Sequence, residues 1–403
     1  MHILLIHQAF AALDEPGGTR HHELSRYLAD QNHQVSIIAS PVSYLTGDDR
    51  SNSPFLEDKN GSIRIYRTYT YPALHKSFFH RLISFFSFML SSFFKALSIK
   101  KVDLVWGTTP SIFQSFTAWL ISRIMGAPFL LEVRDLWPEF AIAVGVLRSP
   151  LLIRLSVWLE RFLYSHADRI VVNSPGFVEH VAGKGGMNIE VVPNGADVGL
   201  FEILETQQAR KILGWAEKFT VLYAGAHGMS NDLEVVLKSA KELSGNSDFQ
   251  FVFVGDGKEK SSLIEKTKKM NLANVHLLPP VPKKQISQTL SAADACIAIL
   301  KPIEMYKTTY PNKVFDYMAA GKPVILAIDG VIRDVVEEAH CGLFCQPGNP
   351  QTMAEKILYL FRNPVKSKEM GKNGRDYLSR NFDRQMIARE MADLMVEMAG
   401  KNV

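Results

Sequence analysis

A strand, a glycine loop, a helix and a second strand open the chain, and that order leaves few folds open to it. MHILLIHQ is a short apolar run, AALDEPGGTR carries the glycine loop, HHELSRYLADQ has a helical pattern, and HQVSIIAS is a second strand. Apolar runs at VDLVWG, PFLLEV and RIVVN then alternate with helical segments such as SIFQSFTAWLISRIMG and LLIRLSVWLERFLYSHA. Such alternation is the pattern of a parallel sheet with helices on both faces, an α/β class. Around VVPNGADVGLF the pattern breaks into Pro, Asn and Gly, as at a hinge, and a second series follows with FTVLYAGAHG, FQFVFVGDG, NVHLLPP, ACIAIL and KPVILAI as strands. A chain of 403 residues exceeds what one core usually organises, so two domains of near-equal size are expected. The boundaries are read as residues 1–192 for a first Rossmann-like domain and 193–376 for a second. Residues 377–403 form a C-terminal helix that is free to return to the first domain.

Composition narrows the function classes. Hydrophobic residues at 47% and charged residues at 21% are ordinary for a soluble globular protein, and a net charge of +4 gives no ground for nucleic acid as a partner. Cys296, Cys341 and Cys345 form no CxxC and suggest neither a disulfide framework nor a zinc site; they read as small buried hydrophobes in a reducing cytoplasm. The N-terminal MHILLIHQAF reads as a buried strand rather than a signal peptide.

In open parallel sheets, ligands bind at the carboxyl ends of the strands, where helix N-termini present backbone amides to anions. YPNKVFDYMAAGKPVI fits that geometry. Pro311 starts a helix, Asn312 and Lys313 fall in its first turn where dipole and ammonium favour phosphate, and Asp316 one turn on can accept ribose hydroxyls. The plain alternatives are a solvated lysine and a helix-stabilising acid. Lys260, in VGDGKEK, lies at another strand-to-helix junction. Gly17-Gly18 permits close backbone approach or forms a tight turn, and Arg20 and His21 reach a ligand or cover a helix surface. Arg134-Asp135 follow the strand PFLLEV, where Arg134 can hold a phosphate and Asp135 a sugar hydroxyl, or Asp135 can cap the helix near Trp137-Pro138. Glu139 is a ligand candidate or a first-turn helix acid, His7 and His227 are catalytic or satisfied core groups, and Asp294 is a structural turn residue.

These pieces, in this order and spacing, resemble the retaining family 4 glycosyltransferases of the GT-B fold over almost the whole chain. EPGGTRHHELSRYLADQNHQV, VVPNGADVGLF, FTVLYAG, VGDG, LSAADACIAIL, DYMAAGKPVI and CGLFCQPGNPQTMAEKI carry the resemblance. It implies two Rossmann-like domains facing across a cleft, a UDP-sugar donor as substrate, no cofactor, no metal, and transfer with retention. In that family the last acid of an E-x7-E motif binds the nucleotide ribose, and Asp316 takes that place, but the first glutamate is replaced by Thr308. The usual Arg/Lys diphosphate pair is also missing from YAGAHGMSNDL, where the loop after Gly225 offers Ala226, His227, Ser230 and Asn231 instead, which shifts phosphate neutralisation to Lys313 and Lys260. The glycine loop at Gly17, Gly18 and Arg20 would lie over the donor, and Arg134 and Asp135 would face the transferred sugar. The changed set looks like that of bacterial surface-polysaccharide (O-antigen or capsule) enzymes, including N-acetyl-L-fucosamine transferases, with a polyprenyl-diphosphate-linked saccharide as acceptor. A nucleotide-sugar epimerase, a phosphorylase or a degenerate GT-B binding module remains as an alternative on the same frame.

SFFHRLISFFSFMLSSFFKALSIKK, residues 77–101, holds seven phenylalanines within a window, Lys59 to Val102, of eight Lys or Arg and no acid. Only 13 residues separate Arg81 from Lys95, short of the about 20 that a spanning helix needs. At about 100° per residue the serines and basic residues share one arc and the phenylalanines occupy the other side, except Phe88. An amphipathic core helix and an interfacial helix both fit; the acid-free basic window favours the second, at an anionic membrane surface on the cytoplasmic face.

Overall fold

The computed structural model describes residues 1–15, 17–49, 55–57, 61–73 and 78–400. Lys59, Ser77 and residues 401–403 of the readings above lie outside the described residues. Two compact units form, one from Met1–Ala12, Gly18–Pro193 and Gln385–Val403, the other from Leu13–Gly17 and Asn194–Arg384.

Unit 1 contains β1 (His2–Ile6), α1 (Arg20–Asp30), β2 (Gln34–Ala39), β3 (Phe55–Glu57), β4 (Ile63–Arg67), α2 (Phe78–Leu97) and β5 (Leu104–Thr108). It continues through α3 (Ile112–Met125), β6 (Phe129–Val133), α4 (Glu139–Ala143), α5 (Pro150–His166), β7 (Arg169–Val172), α6 (Val178–Gly183) and β8 (Ile189–Val191). The sheet order is β3-β4-β2-β1-β5-β6-β7-β8, parallel except for the β3–β4 pair. Ile3, Leu4, Leu5 and Ile6 are all fully buried, which explains why the sequence shows an unbroken apolar run rather than alternation.

Unit 2 contains α7 (Thr206–Leu213), β9 (Phe219–Ala224), α8 (Leu233–Glu242), β10 (Phe249–Val254), α9 (Lys260–Lys269), β11 (Val275–Leu278), α10 (Lys283–Ser291) and β12 (Ala295–Ile299). Then come α11 (Asn312–Ala319), β13 (Val324–Ala327), α12 (Val331–Glu338), β14 (Gly342–Phe344), α13 (Pro350–Arg362) and α14 (Pro364–Asn381). Its six parallel strands run β11-β10-β9-β12-β13-β14. Asp294 ties the start of this sheet, accepting from the Thr220 amide at 2.6 Å and pairing with Arg210.

The second boundary falls later than residue 377, because α14 continues to Asn381 inside unit 2. The two connecting segments are bonded to each other: the Ala196 amide donates to Phe382 O at 3.2 Å and the Arg384 amide to Ala196 O at 3.1 Å. Beyond them α15 (Arg384–Gly400) places Ile387, Met391 and Met395 in one cluster with Ile3, Leu5, Leu24, Trp106 and Leu130 of unit 1.

With α1 and α15 on that face of the sheet, α2, α3 and α5 cover the other, as right-handed crossovers require. The orientation of α2 is the reverse of an ordinary amphipathic helix. Its serines turn inward: Ser84 accepts from Gln8 Nε2 at 3.2 Å, Ser87 accepts from the Tyr71 amide at 2.8 Å, and Ser91 donates to Tyr69 O at 2.6 Å. Ser92 and Phe88 are fully buried, and Lys95 lies 4.1 Å above the Tyr66 ring centroid. Small side chains whose hydroxyls bond to nearby backbone let the helix approach its neighbours closely. The outer face then carries Phe79, Ile83, Phe86, Leu90, Phe94 and Leu97, with Phe79 67% and Phe94 68% exposed. The helix ends at Leu97 rather than Lys101, because Ile99 is buried and Lys101 turns the chain at φ 56° toward β5. Among the described residues no helix is long and apolar enough to cross a membrane.

Candidate active site

In unit 2 the strand order reverses at β9, since β10 lies on one side and β12 on the other, and α11 opens beside that point. Lys313, in the first turn of α11, donates to Tyr223 Oη at 2.8 Å and to Asn231 Oδ1 at 2.9 Å, and lies 4.3 Å from the Tyr223 ring centroid. Gly225 takes φ 146°, and a Cβ there would begin 3.6 Å from Lys313 Nζ. Glycine is therefore favoured by the backbone conformation, while a Cβ would meet Lys313 and Tyr223 only at ordinary contact distance.

His227 is fully buried, and neither ring nitrogen has a hydrogen bond among the described residues. It is clamped by backbone: its amide donates to Asp256 O at 2.8 Å, and a Cβ on Gly257 would strike His227 O at 2.5 Å. Lys260 Nζ donates to Gly255 O at 2.7 Å and Leu278 O at 3.2 Å, so it ties strand ends as well as facing this loop. Asn312 is exposed at the helix start. Asp316 is paired with Lys283 of α10 at 2.6 Å. Thr308, where the resemblance expects a glutamate, donates locally to Met305 O at 2.6 Å.

In unit 1 the corresponding reversal lies between β1 and β5, and Arg134 spans it. Its Nε donates to Thr108 Oγ1 at 2.9 Å, and its Nη2 donates to Thr109 O at 2.9 Å and meets His7 Nε2 at 3.1 Å. Asp135 does not cap α4, whose N-cap is Pro138 without a side-chain bond. One of its oxygens, Oδ1, is buried with no hydrogen bond among the described residues. Burial pushes this carboxyl up to about 7 against the pull of Arg134 and the Leu136 amide.

Three other candidates are placed elsewhere than expected. Arg20 does not reach toward a phosphate: it is 2% exposed, with Nε on Glu132 Oε1 at 2.8 Å and its terminal nitrogens on Pro193 O and Val192 O at 2.6 and 2.9 Å. His21 is buried beside it, 2.6 Å from Glu132 Oε2. Glu139 is held by Lys184, which also binds Glu160 at 2.5 Å, so the carboxylates meet a built-in ammonium. Of the glycine loop, Gly17 takes φ 141° and the exposed Gly18 amide donates to Tyr44 Oη at 2.9 Å.

The glycosyl transferases group 1 model matches residues 205–377, and the glycosyl transferase 4-like domain model matches residues 17–195. The chain belongs to this glycosyltransferase family. Along almost its whole length this glycosyltransferase is similar to WcaI of Escherichia coli, a glycosyl transferase named for colanic acid biosynthesis, at 22% identity over 91% of this chain and 93% of that one. The D-rhamnosyltransferase WbpZ of Pseudomonas aeruginosa is 24% identical over 57% of this chain and 59% of its own length. Two solved structures share the GT-B fold. Sucrose-phosphate synthase from Thermosynechococcus elongatus has a TM-score of 0.79 at 19% identity over 99% of each chain. Anabaena HepE in complex with UDP-glucose has a TM-score of 0.74 at 19% identity over 98% of this chain and 100% of that one.

For the glycosyltransferase, the electrostatics of unit 2 set a pH dependence. Burial lowers the Lys313 ammonium to about 7, and burial with Lys260 beside it lowers His227 to about 4, leaving that imidazole neutral at physiological pH. The Lys313 charge is present below about 7 and lost above it. If the charge holds a diphosphate, kcat/KM for the donor falls by up to about tenfold per pH unit above 7. Lys313→Met separates this limb from the titration of Asp135, and a profile unchanged in that variant would sink the assignment. The sequence reading missed Tyr223, Lys283 and Glu132. Tyr223 is a buried strand residue by pattern, and the partners of Lys283 and Glu132 are 33 and 112 residues away.

Proposed function

We propose that this glycosyltransferase moves a sugar from a UDP-sugar to a lipid-linked saccharide in bacterial surface polysaccharide biosynthesis, O-antigen or capsule. The donor sugar is an N-acetylated amino sugar such as N-acetyl-L-fucosamine, and the acceptor is polyprenyl-diphosphate-linked. The observation that carries this reading is the Lys313 ammonium at the strand-order reversal of unit 2, at a helix N-terminus and beside the bare Gly225. Full-length similarity to an enzyme named for colanic acid biosynthesis supports the polymer, and the UDP-glucose held by HepE supports the nucleotide.

In this reaction Lys313, Lys260 and the first turn of α11 hold the diphosphate, and Asp316 takes the ribose. The bond from the anomeric carbon to the β-phosphate oxygen breaks while the acceptor hydroxyl oxygen bonds the same carbon on the same face. The hydroxyl proton passes to the departing phosphate oxygen, and the sugar keeps its configuration. Arg134 steadies a phosphate oxygen, and Asp135 takes a sugar hydroxyl with its unpartnered Oδ1. The charge of the leaving group is met by these fixed donors, and no metal is required. At the cytoplasmic face of the membrane, the outward phenylalanines of α2 bring the enzyme to its acceptor.

The test is UDP release from a panel of UDP-sugars, with and without a polyprenyl-linked acceptor, in buffer containing EDTA. Acceptor-dependent release that EDTA leaves unchanged is expected. Conversion of a UDP-sugar to its epimer with no net UDP release favours the epimerase, tight UDP-sugar binding with no turnover favours a degenerate binding module, and turnover confined to another nucleotide overturns the donor.

A further inference from the structure

We propose that α5 is a second membrane-binding element, and that α2 and α5 together form one anionic-lipid docking face with α3 between them. This rests on the membrane contact proposed above for α2. The sequence presents α5 as an ordinary sheet-covering helix, but Leu151, Leu155 and Trp158 stand on its outer side at spacings of four and three, with Trp158 60% exposed. An exposed tryptophan on an apolar helix stripe suits the boundary between headgroups and chains.

Charge selects the occupant. Among α2, α3 and α5 the one acid is Glu160, and it is turned inward, 1% exposed and held by His180 at 2.9 Å and by Lys184. Arg154 and Arg161 of the same helix are exposed. A helix that hides its acid and displays two arginines beside leucine and tryptophan complements an anionic lipid surface.

Ring contacts join the three helices into one face. Phe86 of α2 meets Phe113 of α3 at 4.8 Å between centroids, and Trp119 of α3 meets Phe162 of α5 at 4.7 Å. Trp158 stacks on Phe162 at 5.6 Å, which carries the aromatic seam to the exposed stripe. Two helices fixed in one rigid layer engage the bilayer with no added ordering cost for the second, so their contributions multiply.

The experiment is flotation of the full chain with phosphatidylcholine vesicles that contain or lack phosphatidylglycerol. Leu155→Ser/Trp158→Ser and Phe86→Ser/Phe94→Ser are each expected to lower partition onto phosphatidylglycerol vesicles by about tenfold or more, with the melting temperature unchanged. Met187→Ser, exposed on unit 1 but off these helices, is expected to change nothing. Tryptophan quenching by brominated lipid in the wild type is expected to drop in Trp158→Phe. Wild-type flotation of the α5 variant overturns the proposal, as does equal binding to vesicles with and without phosphatidylglycerol. A wild type that is dimeric by light scattering, with the α5 variant monomeric and still floating, assigns the face to a second copy instead. The two readings separate cleanly: a protein that floats but releases UDP from no UDP-sugar keeps the docking face and loses the transferase reading, and one that releases UDP without floating does the reverse.

Discussion

Lys313→Met is expected to lower kcat/KM for sugar transfer by about 10²–10³-fold while leaving the protein at least as stable as the wild type. The two effects have one cause. Lys313 sits where burial disfavours its ammonium, and among the described residues Tyr223, through its Oη and ring face, and Asn231 Oδ1 are what it meets, so the folded state holds the charged form at a cost. Methionine keeps the stem and removes that cost. What is lost is the positive charge that a diphosphate would meet as its bond to the sugar breaks. Steady-state UDP release and a thermal melt on the same sample check both halves. Full activity would move the leaving-group role to Lys260.

Glu132→Ala is expected to be the most destabilising change in unit 1, by about 3–5 kcal/mol, because it leaves the Arg20 guanidinium buried without its counter-charge. Burial pushes the Glu132 carboxyl up, but His21, Arg20 and Arg134 together overcome it and hold the group well below the usual carboxylate range. Burial lowers His21 to about 4, so the imidazole is neutral at pH 7 and Arg20 is the permanent cation of the trio. The sign for acid follows from this. A histidine whose folded value lies below its unfolded 6.5 stabilises the fold fully above 6.5, and that contribution drains away as pH falls toward 4. Urea unfolding followed by tryptophan emission reports mainly unit 1, which holds Trp106, Trp119, Trp137 and Trp158, against Trp215 in unit 2. A Glu132→Ala midpoint equal to wild type would remove the trio from the stability account.

The strands were legible because central parallel strands bury both faces, which writes unbroken apolar runs into the sequence. The first turn of α11 was legible because proline, helix start and lysine stand together in three consecutive residues, Pro311 to Lys313. Arg20 was not: a charged residue at a helix start looks solvent-facing until its partner on β6 is brought alongside, and nothing local announces Glu132. The same holds for Asp316, whose partner Lys283 begins a different helix. For α2, periodicity separated the serine arc from the phenylalanine arc but could not say which was covered. That depends on the close approach of α3, a contact made only in the fold.

Because Ile387, Met391 and Met395 of α15 complete the same cluster as Ile3 and Leu5, the first unit is not finished when residues 1–193 have left the ribosome. The face of its sheet that carries α1 stays only partly covered while residues 194–384 are translated, and its cluster is completed only when α15 emerges. Unit 1 is therefore completed after unit 2, although most of it is encoded first. A released chain that ends before residue 385 would leave Ile3, Leu5, Trp106 and Leu130 without the cover of α15, whereas one that includes α15 would not.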